Sequence, residues 1–266
     1  MSVLPFEKIG NEAGGRLLFL HGFLGARQDW LRVAQALSDR VCCVTVDLPG
    51  HGEAYHLKAD FKETIEAVIA LLNALDVRKI GLVGYSMGGR IALYAALHFP
   101  HRFHFVILVS ASPGIEESER ADRRRREELW AERFRHQPLA EALDQWYAQP
   151  LFADIRSSPY YAETIARRLK NRPEAVAAAL LSLGQASQPP MRHKLPELVV
   201  PLHLIVGERD EKYRREAEWM RSVLPSATLH VVKECGHAVH LENPTALADV
   251  IAEILQQSSL LDKRWE

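Results

Sequence analysis

The segment Gly84-Tyr85-Ser86-Met87-Gly88-Gly89 has the residue types and spacing for nucleophile or base chemistry. It follows an apolar run, Lys79–Gly84, and opens a helical pattern over Met87–Phe99. A serine with glycine two places on either side, between strand and helix, fits a G-x-S-x-G turn that lifts the hydroxyl clear of a sheet. The helix amino terminus favours negative charge there. Neither a G-x-G-x-x-G dinucleotide loop nor the G-K-[ST] of a P-loop is present. At neutral pH a serine needs a histidine to activate it, and the histidine needs a carboxylate to fix its tautomer. For this turn the chain order is serine, acid, histidine. Asp210, in Gly207-Glu208-Arg209-Asp210, and His237, in Cys235-Gly236-His237, satisfy that order, with Glu208 and His240 as the neighbouring alternatives. His237 and His240 are also spaced as metal ligands, but no carboxylate or cysteine set completes a metal site. In His21-Gly22-Phe23-Leu24-Gly25 the glycines free the Phe23 N–H to face an oxygen beside Ser86, with the Met87 N–H as second donor. The alternative for that segment is a plain strand-exit turn. Asp47-Leu48-Pro49-Gly50-His51-Gly52 reads as a tight turn in which His51 is scaffold.

These groups must be held by a frame. Short runs rich in apolar residues end in Gly- or Pro-containing turns: Arg16–Leu20, Val41–Val46, Lys79–Gly84, Phe103–Val109, Leu202–Val206 and Thr228–Val232. Their near-continuous hydrophobicity is that of strands buried on both faces of a mainly parallel sheet. Trp30–Ser38, Phe61–Leu75, Met87–Phe99 and Pro244–Gln257 read as amphipathic helices between them. The alternation predicts an α/β fold, with its functional groups where strands end. From 115 to 195 no strand pattern appears, only helical segments dense in Arg, Glu, Ala and Leu. The expected organisation is a core of residues 1–114 and 196–266, with 115–195 inserted as a helical lid.

Composition narrows the class. Of 266 residues, 47% are apolar and 25% charged, which excludes disordered and collagen-like chains. With 33 Lys and Arg against 34 Asp and Glu, no overall positive field points to nucleic acid. No apolar run is long enough for a membrane span, and residues 1–10 lack the pattern of a secretory signal. Three cysteines form no disulfide framework. The expectation is a cytoplasmic protein, a monomer or small homo-oligomer, with no cofactor, metal, nucleic acid or membrane partner.

The segments HGF-x-G, DLPGHG, GYSMGGR, GERD and GHAVHLENP together resemble the α/β-hydrolase superfamily. The resemblance extends through SPGIEESERADRRRREELWAERF, QWYAQPLF and RRLKNRPEAVAAAL to the 2-succinyl-6-hydroxy-2,4-cyclohexadiene-1-carboxylate synthases, and covers nearly the whole chain. What it implies is a lyase. Pyruvate leaves a cyclohexene that carries an enolpyruvyl ether, a succinyl group and a carboxylate, after loss of the proton α to the succinyl ketone. Ser86, His237 and Asp210 would supply the base, and the Phe23 and Met87 N–H groups would hold the enolate oxygen. A small polycarboxylate substrate calls for arginines, whose planar fork binds carboxylates in a bidentate way. Arg90 lies one helical turn past Ser86. By resemblance, Arg123 and Arg168 come from the insertion, while Tyr85 and Trp146 line the site. The plainer readings are a solvated helix face for most of Arg120–Arg126 and core packing for Trp146. Arg168 lies beside an expected buried stripe of Ile165, Leu169, Val176 and Leu180, and Arg167 is expected at the surface. A serine-dependent ester, thioester or C–C hydrolase shares every motif but the insertion, and a non-catalytic receptor-like module is the remaining alternative.

Overall fold

In the computed structural model, which describes residues 3–12 and 14–257, seven strands form one sheet in the order β1-β3-β2-β4-β5-β6-β7. These are β1 (Phe6–Gly10), β2 (Gly15–Leu20), β3 (Val41–Val46), β4 (Ile80–Tyr85), β5 (Phe103–Val109), β6 (Leu202–Gly207) and β7 (Thr228–Val232). β1 runs antiparallel to β3, and every other neighbouring pair is parallel. The six expected strands are present within a residue or two, and β1 is an addition at the edge. Residues 258–266 of the expected second core segment, with Met1 and Ser2, lie outside the described residues.

Two helical layers cover the sheet because its strands are apolar on both faces. Leu18, Leu20, Val44 and Leu82 turn to the side of α2 (Phe61–Ala74), α3 (Met87–His98) and α8 (Glu211–Val223), where they meet Ile65, Ile91 and Met220. Leu17, Phe19, Cys43 and Val83 turn to the side of α1 (Leu31–Leu37) and α10 (Pro244–Gln257), against Val33, Leu37 and Ile251. Each fully buried aliphatic side chain contributes roughly 1.5–3 kcal/mol of burial free energy. The strand ends are thereby fixed, and the turns that leave them inherit that rigidity.

Between β5 and β6 the chain forms α4 (Glu117–His136), α5 (Leu139–Tyr147), α6 (Tyr161–Arg168) and α7 (Pro173–Leu183), with short 3-10 turns and no strand among the described residues. α4 begins at a capping box in which Glu116 and Glu119 satisfy each other's backbone N–H groups. Of the expected stripe, Val176 and Leu180 are buried, but Leu169 is 45% exposed. Leu169 is the C-cap of α6 and keeps helical geometry, its N–H on the Ile165 carbonyl at 3.0 Å, but the buried side of this last turn is taken by Arg168. A short helix, α9 (Val239–Glu242), precedes α10.

Candidate active site

Ser86 sits at the carboxyl end of β4, immediately before α3, with φ 49° and ψ −107°. A non-glycine residue holds such a conformation only where its surroundings enforce it. They do here, because α3 starts hard against the end of β2. A Cβ on Gly88 would lie 2.5 Å from the His21 carbonyl oxygen. His237 leaves the turn after β7, and its Nε2 lies 3.2 Å from the Ser86 Oγ. On the other side of the ring, Nδ1 lies 2.7 Å from Asp210 Oδ2. Asp210 accepts the Nδ1–H, which leaves Nε2 as the acceptor for the serine hydroxyl. The second oxygen of Asp210 accepts the Tyr213 N–H at 3.2 Å, so the same carboxylate caps α8. His237 is 2% exposed and Asp210 is buried behind it. Glu208, the alternative acid, instead accepts the Glu234 N–H with its side chain. Glu242 fixes the histidine turn by accepting the N–H groups of Gly236 and Ala238, at 2.5 and 2.9 Å.

His240, the alternative histidine, is buried between the rings of Tyr85 and Trp30, with centroids 4.2 and 4.7 Å away. Burial pushes its imidazole down to about 3, so it is neutral at physiological pH. It faces neither Ser86 nor a metal-ligand set, and no three His, Cys, Asp or Glu side chains gather to hold a metal among the described residues. His51 is buried against His21 and Phe23, and burial likewise takes it down to about 3.

The turn Gly22–Gly25 runs beside Ser86. A Cβ on Gly22 would fall 2.5 Å from the Tyr85 ring and 3.6 Å from the Ser86 Cβ. His21 anchors the turn from within: its Nδ1–H donates to the Gly22 carbonyl at 2.7 Å, and its Nε2 accepts the Leu48 N–H at 2.9 Å. Phe23 and Met87 both line the cavity that contains Ser86. Met87 is the first residue of α3, where backbone N–H groups have no partner within the helix.

About 810 Å³ of space lies in and at the mouth of that cavity, open solvent included. Phe23, Tyr85, Trp146 and Phe152 form aromatic walls, and Leu180 and Leu183 of α7 close one side. Trp146 belongs to wall and core at once, since its ring meets Phe23, Trp130 and Phe134. Among the described residues, four cations reach the lining, Arg90, Arg123, Arg168 and Lys212, and no Asp or Glu does. Arg90 is buried, and the one hydrogen bond of its side chain among the described residues is a 3.4 Å contact with Gln188. Burial draws its guanidinium down to about 10. Within the run Arg123–Arg126, Arg123 alone lines this cavity, with its Nε on Glu127 at 2.7 Å. Arg124 instead donates to the Leu181 carbonyl, and Arg125 pairs with Asp122 on the surface.

Arg168 reaches the cavity in a different state from a free carboxylate clamp. Its two terminal nitrogens bind the oxygens of the buried Asp29 at 2.9 and 2.7 Å, and its Nε donates to the Tyr147 hydroxyl. Burial alone would raise the Asp29 carboxyl, but the Arg168 charge and hydrogen bonds outweigh it and hold Asp29 below the usual carboxylate range. Arg167 is not a plain surface charge. It is 15% exposed at its side chain and donates from Nε to the same Asp29. Both arginines therefore converge on one buried carboxylate, which the sequence reading did not single out. Lys212 was missed as well. Its position two residues past Asp210, in the first turn of α8, was the available signal, since that turn starts at the site.

The comparisons with known proteins agree with this geometry. Residues 17–250 match the model of the alpha/beta hydrolase family. The 2-succinyl-6-hydroxy-2,4-cyclohexadiene-1-carboxylate synthase of Salmonella typhimurium is 38% identical over 243 residues, 90% of this chain and 93% of its own. That of Salmonella enteritidis is 37% identical over 250 residues, 93% and 96% of the two chains. Among solved structures, MenH from S. aureus superposes with a TM-score of 0.90 at 29% identity, covering 97% of this chain and all of its own. A thermophilic esterase from Thermogutta terrifontis gives 0.83 at 28% identity, over 96% and 93%. The extent of these matches, through the helical insertion as well as the sheet, shows that the chain belongs to the alpha/beta hydrolase family, in the group of these synthases.

Proposed function

We propose that the protein eliminates pyruvate from 2-succinyl-5-enolpyruvyl-6-hydroxy-3-cyclohexene-1-carboxylate, giving 2-succinyl-6-hydroxy-2,4-cyclohexadiene-1-carboxylate in menaquinone biosynthesis. The observation that carries this reading is the cavity lining. Among the described residues, four cations and no carboxylate line the cavity around Ser86, with Arg90 and Lys212 free of any carboxylate partner, which suits a substrate with three carboxylates and not a neutral ester. The relatives named as this synthase support the same reaction. The alpha/beta hydrolase frame alone does not select it, since an esterase shares the fold.

In this reaction Ser86 is the base. Its Oγ takes the ring proton α to the succinyl ketone as its own proton passes to His237 Nε2, and Asp210 stabilises the imidazolium. The ketone oxygen gains negative charge and is held by the Phe23 and Met87 N–H groups. The electron pair of the broken C–H bond moves into the ring, the ring double bond shifts along it, and the bond to the enolpyruvyl oxygen breaks. Pyruvate leaves as its enolate and is reprotonated. Arg90, Arg123 and Lys212 hold substrate carboxylates, and Arg168, held by Asp29 and Tyr147, supports the cavity wall. Tyr85 and Trp146 flank the ring. A cytoplasmic location belongs to this reading, and the three free, buried thiols support it. Assaying pyruvate release from the enolpyruvyl compound beside a panel of aryl esters and thioesters tests the proposal. Faster turnover of the esters, with a Ser86 acyl-enzyme, would establish a hydrolase instead.

A further inference from the structure

The turn that carries Phe23 is itself under strain, and the helical insertion holds it. Leu24, the residue after Phe23, has φ +64° although it is not glycine. Its side chain is buried in the core, so it has no freedom to relax outward. Within the turn only the Gly25 N–H closes back on the Gly22 carbonyl, at 3.0 Å. The Leu24 carbonyl points out of the turn and accepts a 2.9 Å hydrogen bond from Asn171 Nδ2, 147 residues away in sequence. Asn171 follows α6, is 9% exposed, and is tied back by its own N–H to the Arg168 carbonyl at 3.1 Å. Asp29, which receives the Arg168 fork, stands against the same turn: a Cβ on Gly25 would lie 2.8 Å from its Oδ2. One short stretch of the insertion, residues 168–171, therefore holds the carboxyl-terminal half of the turn, directly through Asn171 and by way of Asp29 from Arg168.

We infer that Asn171 is a positioning residue, which through the Leu24 carbonyl sets the Phe23 N–H against the oxygen that becomes negative in the reaction. This rests on the use of that N–H proposed above. A residue in a sparsely populated backbone conformation persists only while its neighbours over-determine it. Without the Asn171 donor, the Leu24 carbonyl is buried and unpaired, and the turn gains by rotating toward negative φ. The Phe23 amide moves with it. A donor displaced by about an ångström forfeits up to roughly a hundredfold in rate, and the loss falls on the transition state because the oxygen is charged only there.

The test compares Asn171→Leu, which keeps the side-chain outline without the donor, with Asn171→Gln, which keeps the donor. Pyruvate release should show kcat lowered about 10- to 100-fold in Asn171→Leu, with KM within about threefold, and kcat partly restored in Asn171→Gln. Melting temperatures of the two variants check that both are folded. A kcat in Asn171→Leu equal to that of the wild type, or a rise confined to KM, overturns the inference and leaves the lyase reading standing. A wild-type protein that releases no pyruvate overturns the lyase reading instead. The same three proteins are then compared on 4-nitrophenyl acetate, whose tetrahedral intermediate uses the same pair of N–H groups. Loss of esterase kcat in Asn171→Leu sustains the positioning role, and equal rates end it.

Discussion

Arg90 offers the sharpest separation of stability from activity. Its guanidinium is buried, has no carboxylate within ion-pair distance among the described residues, and makes one long contact with Gln188. Burial draws it down to about 10, a penalty of about 3 kcal/mol on the charged form. That is the cost of keeping the charge buried before substrate arrives. Arg90→Met retains most of the stem volume and removes the charge. The folded state should then gain about 1–3 kcal/mol, in line with replacements of buried ions by apolar residues. For a chain of this length that is a rise in Tm of roughly 2–8 °C by scanning calorimetry. Pyruvate release should move the other way. A substrate carboxylate that loses its partner in a dry cavity gives up about 3–4 kcal/mol, a drop of about 10²- to 10³-fold in kcat/KM. A variant that melts below the wild type, or that keeps kcat/KM within about threefold, would refute the view of Arg90 as a charge held unpaired for the substrate.

Ser86→Ala and His237→Ala should each lower kcat by about a thousandfold or more, and the double variant should cost little further, because the two act as one unit. Asp210→Asn should also be slow, through the wrong imidazole tautomer, with the fold intact by circular dichroism. Deuterium at the ring carbon bearing the succinyl group should slow turnover, and no adduct on Ser86 should accumulate by mass spectrometry; a trapped acyl-enzyme would count against the base role. Arg168→Ala should cost about 3 kcal/mol of stability in urea as well as activity, since the buried Asp29 loses its fork and keeps a single contact from Arg167, whereas Arg167→Ala should cost about 1 kcal/mol because the Arg168 fork remains. His51 and His240 are each lowered to about 3 by burial, so the unfolded chain binds their protons first as pH falls below about 6.5. Their contribution is intact above that pH and is lost between about 6.5 and 3, by up to about 1.4 kcal/mol per pH unit for each histidine. His240→Phe should flatten the Tm profile across that window, and an unchanged slope would contradict the neutral burial of His240.

Some of this architecture was legible in the sequence because it obeys local rules. β3, β5 and β7 begin and end where their apolar runs do, and the Ser86 turn announces itself through Gly84 and Gly88. β1 gave no such signal. Its residues are mostly exposed at the sheet edge, so nothing in FEKIG forces an apolar pattern. α8 was hidden by charge, since only Tyr213, Ala217 and Met220 are buried along thirteen residues. Arg123 and Arg168 reach the cavity as the resemblance implied. Glu127 lies one helical turn from Arg123, a spacing that helical periodicity does encode, whereas Asp29 and Tyr147 are brought to Arg168 by tertiary packing over separations that no periodicity encodes. The pairing of Asp29 with Arg168 spans 139 residues, and that of Asn171 with Leu24 spans 147.

The insertion enters after β5 and returns at β6, two strands that are hydrogen-bonded neighbours. The sheet thus closes behind the insertion, and the serine, acid and histidine all lie outside it on core turns. Heritable change is thereby partitioned. Substitutions in one continuous stretch of the gene redraw the walls and the charge of the chamber, and the proton-handling groups keep their supports. An ancestor with this frame needed no new reactive group to acquire a new substrate. The freedom is incomplete, however, because Asn171 and Arg168 tie that stretch to the Gly22–Gly25 turn. A lineage that drifts at those two positions would pay in rate for what it gains in selectivity, so the variable segment carries a fixed point of its own.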